Sequence, residues 1–503
     1  MGSIEWEALK EWLIEQRAIE EEAVSPEGLK RLDLSGRSLE ELPETLGLLR
    51  GLVVLNLANN NLTKLPDSIA NLTMLNNLDI RRNRFEVLPQ VLAGLTLRSL
   101  NAGGNNISDI SVLKGCRDLR VLDLSSNNLT TVEGMLSPEN ELRTLNLAGN
   151  FIKDMEAAFP LLQQVERLNL SQNILSEIPA SIGAMGGIAE INLSDNRLRK
   201  LDEAFFFLGL EEIDLSSNQI RELYLHDLAD LERIILDNNP IREVEVDESF
   251  APYLKEFSCD SCELQRFVPV PSLELESLCF SSNAITSIPE EIGKYTRLSQ
   301  LDIDGNDISE LPNAMANMTR LQTLYIGGNP LNEEAKKVIK VLHPDICDIN
   351  MKTGITVEKA REEDLPEMAE LIGILFAIEV DFEIDYDKQL AGVQKLYRCE
   401  GADMLVAKHE GKVVGMVTMQ RLISSAAGDY VGQIEDLVVK EGYRKMGVGS
   451  RLINKMRFIA IEEYGYKRIQ LAADMDNTNA LQFYTRRGFR RTNLNVYHLK
   501  KAK

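Results

Sequence analysis

LRVLDLSSNNL, residues 119–129, sets the pattern that most of this chain follows. Leu122 and Leu124 flank a single residue, so in an extended strand both point to the same side. Leu119 and Leu129 add apolar positions before and after, and Asn127 puts an amide into the turn that follows. One such unit cannot bury its leucines alone. The frame, L-x-x-L-x-L-x-x-N-x-L, returns at LVVLNLANNNL (52–62), LNNLDIRRNRF (75–85) and LEEIDLSSNQI (210–220). Its starts are 29, 52, 75, 97, 119, 142, 165, 188, 210, 231, 254, 275, 298 and 321, fourteen frames with steps of 21 to 23 residues. A period in this range marks stacked units, each covering the apolar side of the next.

The pattern resembles the leucine-rich repeat. That resemblance implies an α/β solenoid with parallel strands lining a concave face. Asparagine fills twelve of the fourteen turn positions, where its amide can bond backbone groups of adjacent coils. Arg37 and Cys262 are the exceptions, Cys262 being a weaker donor of suitable size. Leu65-Pro66, Ile178-Pro179 and Leu311-Pro312 mark the convex side. Residues 4–24 place Trp6, Leu9, Trp12, Leu13 and Ile19 roughly on one helical face, as an N-terminal cap would. The expected organisation is a helical cap over 1–28, a solenoid with its C-terminal cap over 29–349, a linker at 350–354 and a second domain over 355–503.

The outward column of the strands runs from Asp33, Asn56 and Asp79 to Ile235, Cys279, Asp302 and Tyr325. Asp and Asn are ordinary in that column. Glu190, Asp195, Glu211, Glu212, Glu232, Asp237, Glu256 and Asp260 add acid around repeats eight to eleven, suited to a basic protein partner. Cys259 and Cys262 form a C-x-x-C, but each fills a repeat position, so no metal is expected there.

Net charge is -23, which excludes a nucleic-acid backbone as a natural partner. The excess is one-sided. From Ile355 onward there are 23 basic and 22 acidic residues; before it, 32 basic and 56 acidic. No apolar run is long enough to span a membrane. MGSIEWEALKEWLIEQ is charged throughout and lacks a signal-peptide core, and six cysteines are scattered, so a cytoplasmic protein is expected.

After Ile355 the grammar becomes mixed α/β: strand ITVEKA (355–360), helices over 363–379 and 386–397, then strands DMLVAKH (403–409), KVVGMVTMQRL (412–422) and QIEDLVV (433–439). EGYRKMGVGS (441–450) follows, then a helix over 449–465, a strand over 468–474, a helix over 477–488 and a strand over 493–499. Gly442 and Gly447 have P-loop spacing, yet Val448 and Gly449 follow in place of Lys and Ser/Thr, so no nucleotide clamp is offered. What stands there is strand, R-x-x-G-x-G (Arg444 to Gly449), helix. A second pattern, N-x-x-A-x-x-x-Y-x-x-x-G-F, follows at Asn477, Ala480, Tyr484, Gly488 and Phe489.

Together these resemble the GNAT superfamily of acyl-CoA N-acyltransferases over roughly 355–500. The resemblance implies acetyl-CoA as co-substrate, with its pyrophosphate held by backbone N–H groups of Met446, Gly447, Val448, Gly449 and Ser450 beside Arg444 and Lys445. It implies that Leu437, Val438 and Val439 pair with the pantetheine arm, that the Leu437 amide polarises the thioester, and that Asn477 reaches the pantetheine side. Tyr484 matches the tyrosine that protonates the leaving thiolate; a core aromatic is the other reading of that position. Glu435 and Asp436 resemble the Glu-Asp pair of diamine acetyltransferases, with Glu435 as base, although water serves in several members. Strand alternation sends the two to opposite faces. EVDFEIDYD (379–387), with Asp381 and Glu383, lies where the family builds its acceptor lip and would draw a cation.

The expected function is N-acetylation of an amine without a metal, with the solenoid recruiting a protein substrate. A polyamine-like small acceptor, or a non-catalytic acyl-CoA-sensing scaffold, are the alternatives.

Overall fold

The structure is a computed structural model that describes residues 2–19, 25–132, 136, 139, 141–342, 348–349, 355–377, 384–425, 428–444, 448–473, 477–485, 489 and 492. Contacts divide the chain into two compact units, Met1–Ile235 with Val246–Tyr253, and Leu236–Glu245 with Leu254–Lys503.

The first unit opens with a helix over Gly2–Glu15. Its Leu9 and Leu13 are buried, while Trp6 and Trp12 are half-buried. The helix stops before the expected cap ends, and residues 20–24 lie outside the described residues. Ten three-residue strands follow, from Arg31–Asp33 to Arg233–Ile235, paired in parallel in chain order. Each begins two residues after a frame start, and its central leucine or isoleucine is buried, as Leu32, Leu55 and Leu78 are. The return segments are short 3₁₀ turns, several entered through proline: Asp67–Asn71 after Pro66 and Ala180–Ala184 after Pro179. Proline suits that place because its φ is fixed and it donates no hydrogen bond.

The turn asparagines do what their chemistry allows. Asn83 donates through Nδ2 to the Leu57 carbonyl at 2.9 Å and to the Ile80 carbonyl at 3.0 Å. Its Oδ1 accepts the Leu62 N–H at 3.0 Å. One amide thus satisfies backbone groups of two repeats, in a core where an unpaired group costs about 1–3 kcal/mol. Arg37 departs from the pattern for a reason invisible in the repeat itself. Its Nε donates to the Gln16 carbonyl at 2.6 Å, just past the first helix, tying that helix end to the first coil.

In the second unit, parallel strands over Glu256–Ser258, Ser277–Cys279, Gln300–Asp302 and Thr323–Tyr325 are followed by Asp348–Ile349. Asn332 caps the helix Glu333–Val341 by accepting the Ala335 N–H at 2.9 Å. Cys262 takes the asparagine place weakly, its Sγ 3.5 Å from the Leu236 carbonyl and 3.3 Å from the Cys259 Sγ. Burial pushes the Cys259 thiol well above its ordinary range, which leaves it inert as a nucleophile.

The C-terminal elements of this unit are β1 (Ile355–Lys359), α1 (Leu365–Phe376), α2 (Tyr386–Tyr397), β2 (Ala402–His409), β3 (Lys412–Ser424), β4 (Asp429–Val439), α3 (Val448–Phe458), β5 (Ile469–Leu471) and α4 (Thr478–Thr485). Among the described residues five strands form one sheet in chain order, antiparallel except for β4 with β5, and the expected strand over 493–499 lies outside those residues. Alternation sends Leu405 and Ala407 of β2 toward α3, and Met404 and Val406 toward α1 and α2. Val448, Leu452 and Met456 bury one stripe of α3. Gly415 lets that helix approach, since a Cβ there would lie 3.1 Å from Val448 Cγ1 and 3.2 Å from the Val438 carbonyl oxygen. The predicted helix over 449–465 is shorter: α3 ends at Phe458 and a π-helical turn spans Ile459–Glu463. Asp364, just before α1, closes a 3₁₀ turn by accepting the Arg361 N–H at 2.8 Å, and it pairs with Lys408 at 2.8 Å.

Candidate active site

β4 carries the site, through two irregularities. The first is a bulge. Val417 pairs with Leu437 and Met419 with Ile434, so Thr418 of β3 faces both Glu435 and Asp436. The extra residue suspends strict alternation, and the expectation that the two carboxylates part to opposite faces does not carry through it. They sense each other. Desolvation pushes the Glu435 carboxyl above its usual range, and the Asp436 charge adds to the shift. Burial also raises Asp436, opposed by a hydrogen bond from the Thr418 hydroxyl at 2.9 Å. Glu435 still reaches solvent.

The second irregularity is an opening. β5 pairs with β4 only from Gly432 to Ile434, whereas β4 runs on to Val439 with β3 alone. Among the described residues, the β5 side of Glu435–Val439 has no ladder. A strand edge of that kind accepts an extended ligand rich in amides.

The loop follows at once. A 3₁₀ turn spans Glu441–Tyr443, and the Arg444 Nε folds back to donate to the Val439 carbonyl at 3.0 Å. Tyr443 Oη lies 3.0 Å from His409 Nδ1, which ties the loop to the end of β2. Lys445, Met446 and Gly447 lie outside the described residues. α3 spans Val448–Phe458, and the first N–H groups of a helix lack helical partners and carry the positive end of its dipole. Gly449 permits a close approach: a Cβ there would lie 3.2 Å from the Phe483 ring of α4. The two sequence patterns therefore meet in space. Ser450 belongs to the first turn of α3.

On α4, Asn477 Oδ1 accepts the Ala480 N–H at 3.1 Å, an N-cap. Tyr484 is half-buried, edge-on to Phe483 at 5.4 Å and to Phe489 at 5.8 Å between ring centres. Its ring packs on the same apolar layer as Leu437 and Val439, while Val438 faces α1 and α2. Asp381 and Glu383 lie outside the described residues. Among the described residues no group of three or more His, Cys, Asp or Glu side chains could hold a metal ion. Thr418 and His409 have no signal in the sequence; strand register brings Thr418 to the bulge and the end of β2 brings His409 to Tyr443 of the loop.

The acetyltransferase (GNAT) family model matches residues 371–489. Leucine-rich-repeat models match 27–85, 50–107 and 186–241, and a two-copy repeat model matches 96–136. The chain carries leucine-rich repeats and a GNAT acetyltransferase domain. Among solved structures, a leucine-rich-repeat protein of Leptospira interrogans is similar at 23% identity with a TM-score of 0.51, over 64% of this chain and 95% of its own. A possible acetyltransferase from Clostridium difficile 630 is 23% identical over 30% of this chain and 99% of its own, with a TM-score of 0.28. An aminoglycoside acetyltransferase from an uncultured soil metagenomic sample, solved with sisomicin, is 26% identical over 29% and 97%, with a TM-score of 0.26. The family matches, rather than these likenesses, identify the acetyltransferase domain and the repeats.

On the leucine-rich repeats, the outward Asp/Asn column is largely occupied with its own turns. Asp33 accepts the Ser35 N–H at 2.8 Å, Asn56 the Ala58 N–H at 3.0 Å and Asp214 the Ser216 N–H at 2.9 Å. Of the glutamates beside it, Glu211, Glu212 and Glu232 are exposed and Glu190 and Glu256 half-buried; Glu190 pairs with Arg167 at 2.9 Å and Glu212 with Arg233 at 3.8 Å. Among the described residues, no helix is long and apolar enough to cross a membrane.

Proposed function

We propose that the acetyltransferase domain passes the acetyl group of acetyl-CoA directly to an amine, and that the solenoid recruits a basic protein as acceptor. The opening of the sheet beside β4 carries this reading. Among the described residues nothing pairs with Glu435–Val439 on the β5 side, which suits that backbone to the amide-rich pantetheine arm, next to a loop and helix start suited to a pyrophosphate. Arg444 and Lys445 add positive charge, and Met446 to Ser450 supply N–H groups. Asn477 stands on the pantetheine side.

The amine nitrogen attacks the thioester carbon, the Leu437 N–H supports the oxyanion, and the C–S bond breaks. Tyr484 gives its proton to the departing thiolate. The ammonium proton leaves to Glu435, directly or through water, and the raised position of that carboxyl suits a base. Asp381, Glu383 and Asp436 add negative charge on the acceptor side. Cytoplasmic acetyl-CoA would supply the donor.

The test is turnover by the full chain with acetyl-CoA and a panel of amines: polyamines, lysine-rich peptides and free peptide N-termini. Thiol release matched by an N-acetylated product supports the reading. Acetyl-CoA binding with no acetylated amine would favour a non-catalytic acyl-CoA sensor.

A further inference from the structure

Thr418 is 0% exposed, and its hydroxyl serves one residue twice. It donates to Asp436 Oδ2 at 2.9 Å and accepts the Asp436 N–H at 3.2 Å. A two-against-one bulge leaves an extra residue outside the ladder. Here the threonine hydroxyl takes the place of the missing ladder contact, and the carboxylate closes the ring from the other side. Asp436 is therefore held at two points, its amide and its side chain. The next peptide group is the Leu437 N–H, the group assigned to the thioester oxygen. A rotation of Asp436 would turn that N–H away from the reacting carbonyl.

We infer that Thr418 and Asp436 form a clasp that sets the bulge and aims the Leu437 amide, making both positioning residues and leaving Asp436 no part in binding the acceptor amine. The inference rests on the acetyl-transfer reading. It departs from the assignment of Asp436 to the acceptor side: the clasp holds Oδ2, which fixes the carboxylate against Thr418 and leaves only Oδ1 for any other donor.

Thr418→Val keeps the shape and removes both hydrogen bonds. Its kcat should fall about tenfold, because a misaimed donor loses transition-state stabilisation. Calorimetric affinity for acetyl-CoA should stay within about twofold, and Thr418→Ser should restore the rate. Asp436→Asn keeps an oxygen for the hydroxyl, so KM for spermidine or a lysine-rich peptide should move less than about threefold. An unchanged kcat in Thr418→Val would overturn the clasp. So would an Asp436→Asn enzyme with normal kcat and an acceptor KM raised tenfold or more, the signature of a ligand to the amine. If Thr418→Val does not fold, Asp436→Ala breaks the ring from the β4 side with the same readouts. If the wild type transfers no acetyl group, the functional reading fails by itself. The clasp is then judged by exchange of the Asp436 amide in the unliganded chain: slow in wild type and fast in the variant supports it, equal rates refute it.

Discussion

The leucine-rich repeats solve one packing problem many times, whereas the acetyltransferase domain uses each contact once. Asn83, Asn127 and Asn173 make nearly the same hydrogen bonds in their own coils. Among the described residues, the Thr418–Asp436 ring, the His409–Tyr443 tie and the close approach of Gly449 to Phe483 have no second copy. Damage should therefore read out differently: as local stability in the repeats, as rate or ligand affinity in the domain.

The largest effect is expected at Tyr484. Tyr484→Phe keeps the ring packed against Phe483 and Phe489 and removes the proton. We expect kcat to fall about 10²-fold, or about 2.7 kcal/mol, with acetyl-CoA affinity little changed. An unchanged kcat, once chemistry is shown to limit the rate, would make Tyr484 a packing residue and weaken the contrast.

Next comes the ladder. Asn127 bonds the Ala102, Leu124 and Ser125 carbonyls and accepts the Ile107 N–H at 2.9 Å. Asn127→Ala should lower unfolding free energy by about 2 kcal/mol, because it strands several buried groups. Cys262→Ala should lose about half that, since a thiol bonds carbonyls weakly. Equal losses by denaturant titration would show that the ladder position matters for volume rather than hydrogen bonding.

This contrast also explains what the sequence revealed. All fourteen frame starts lie two residues before a strand, because repetition turns one weak local signal into a register. Arg37 looked like an irregular first repeat; its partner, the Gln16 carbonyl, lies before the first repeat, where the pattern has no frame. In the domain, the R-x-x-G-x-G and Tyr484 patterns were legible, and the boundaries of α2 matched its apolar spacing. The bulge was not, since an extra residue on one strand is defined only against its partner. The shortened α3 likewise depends on how its last turn packs, which propensity does not encode.

A smaller effect concerns pH. Glu435 must be ionised to act as base, and its folded position is raised, so the rate should drop as pH falls through a value above the ordinary 4.5. Asp436→Asn removes the like charge and should move that limb to lower pH; Glu435→Gln should abolish it. A limb that stays in the Glu435→Gln enzyme would assign the proton to water.

The smallest effect is expected on the repeats' outer face. Reversing charge at Glu211, Glu212 and Glu232 should raise KM for a lysine-rich peptide a few-fold at low salt and leave spermidine kinetics alone, because exposed charges are screened over about 8 Å at physiological ionic strength. Equal changes for both acceptors would sever recruitment from the solenoid.

The most direct measurement is an amide-exchange footprint of acetyl-CoA on the full chain. The account predicts slowed exchange at Leu437, Val438 and Val439 and across the first turn of α3, with the amides of the leucine-rich repeats unchanged. Binding that leaves the β4 edge unprotected, or that protects only the repeats, would contradict it.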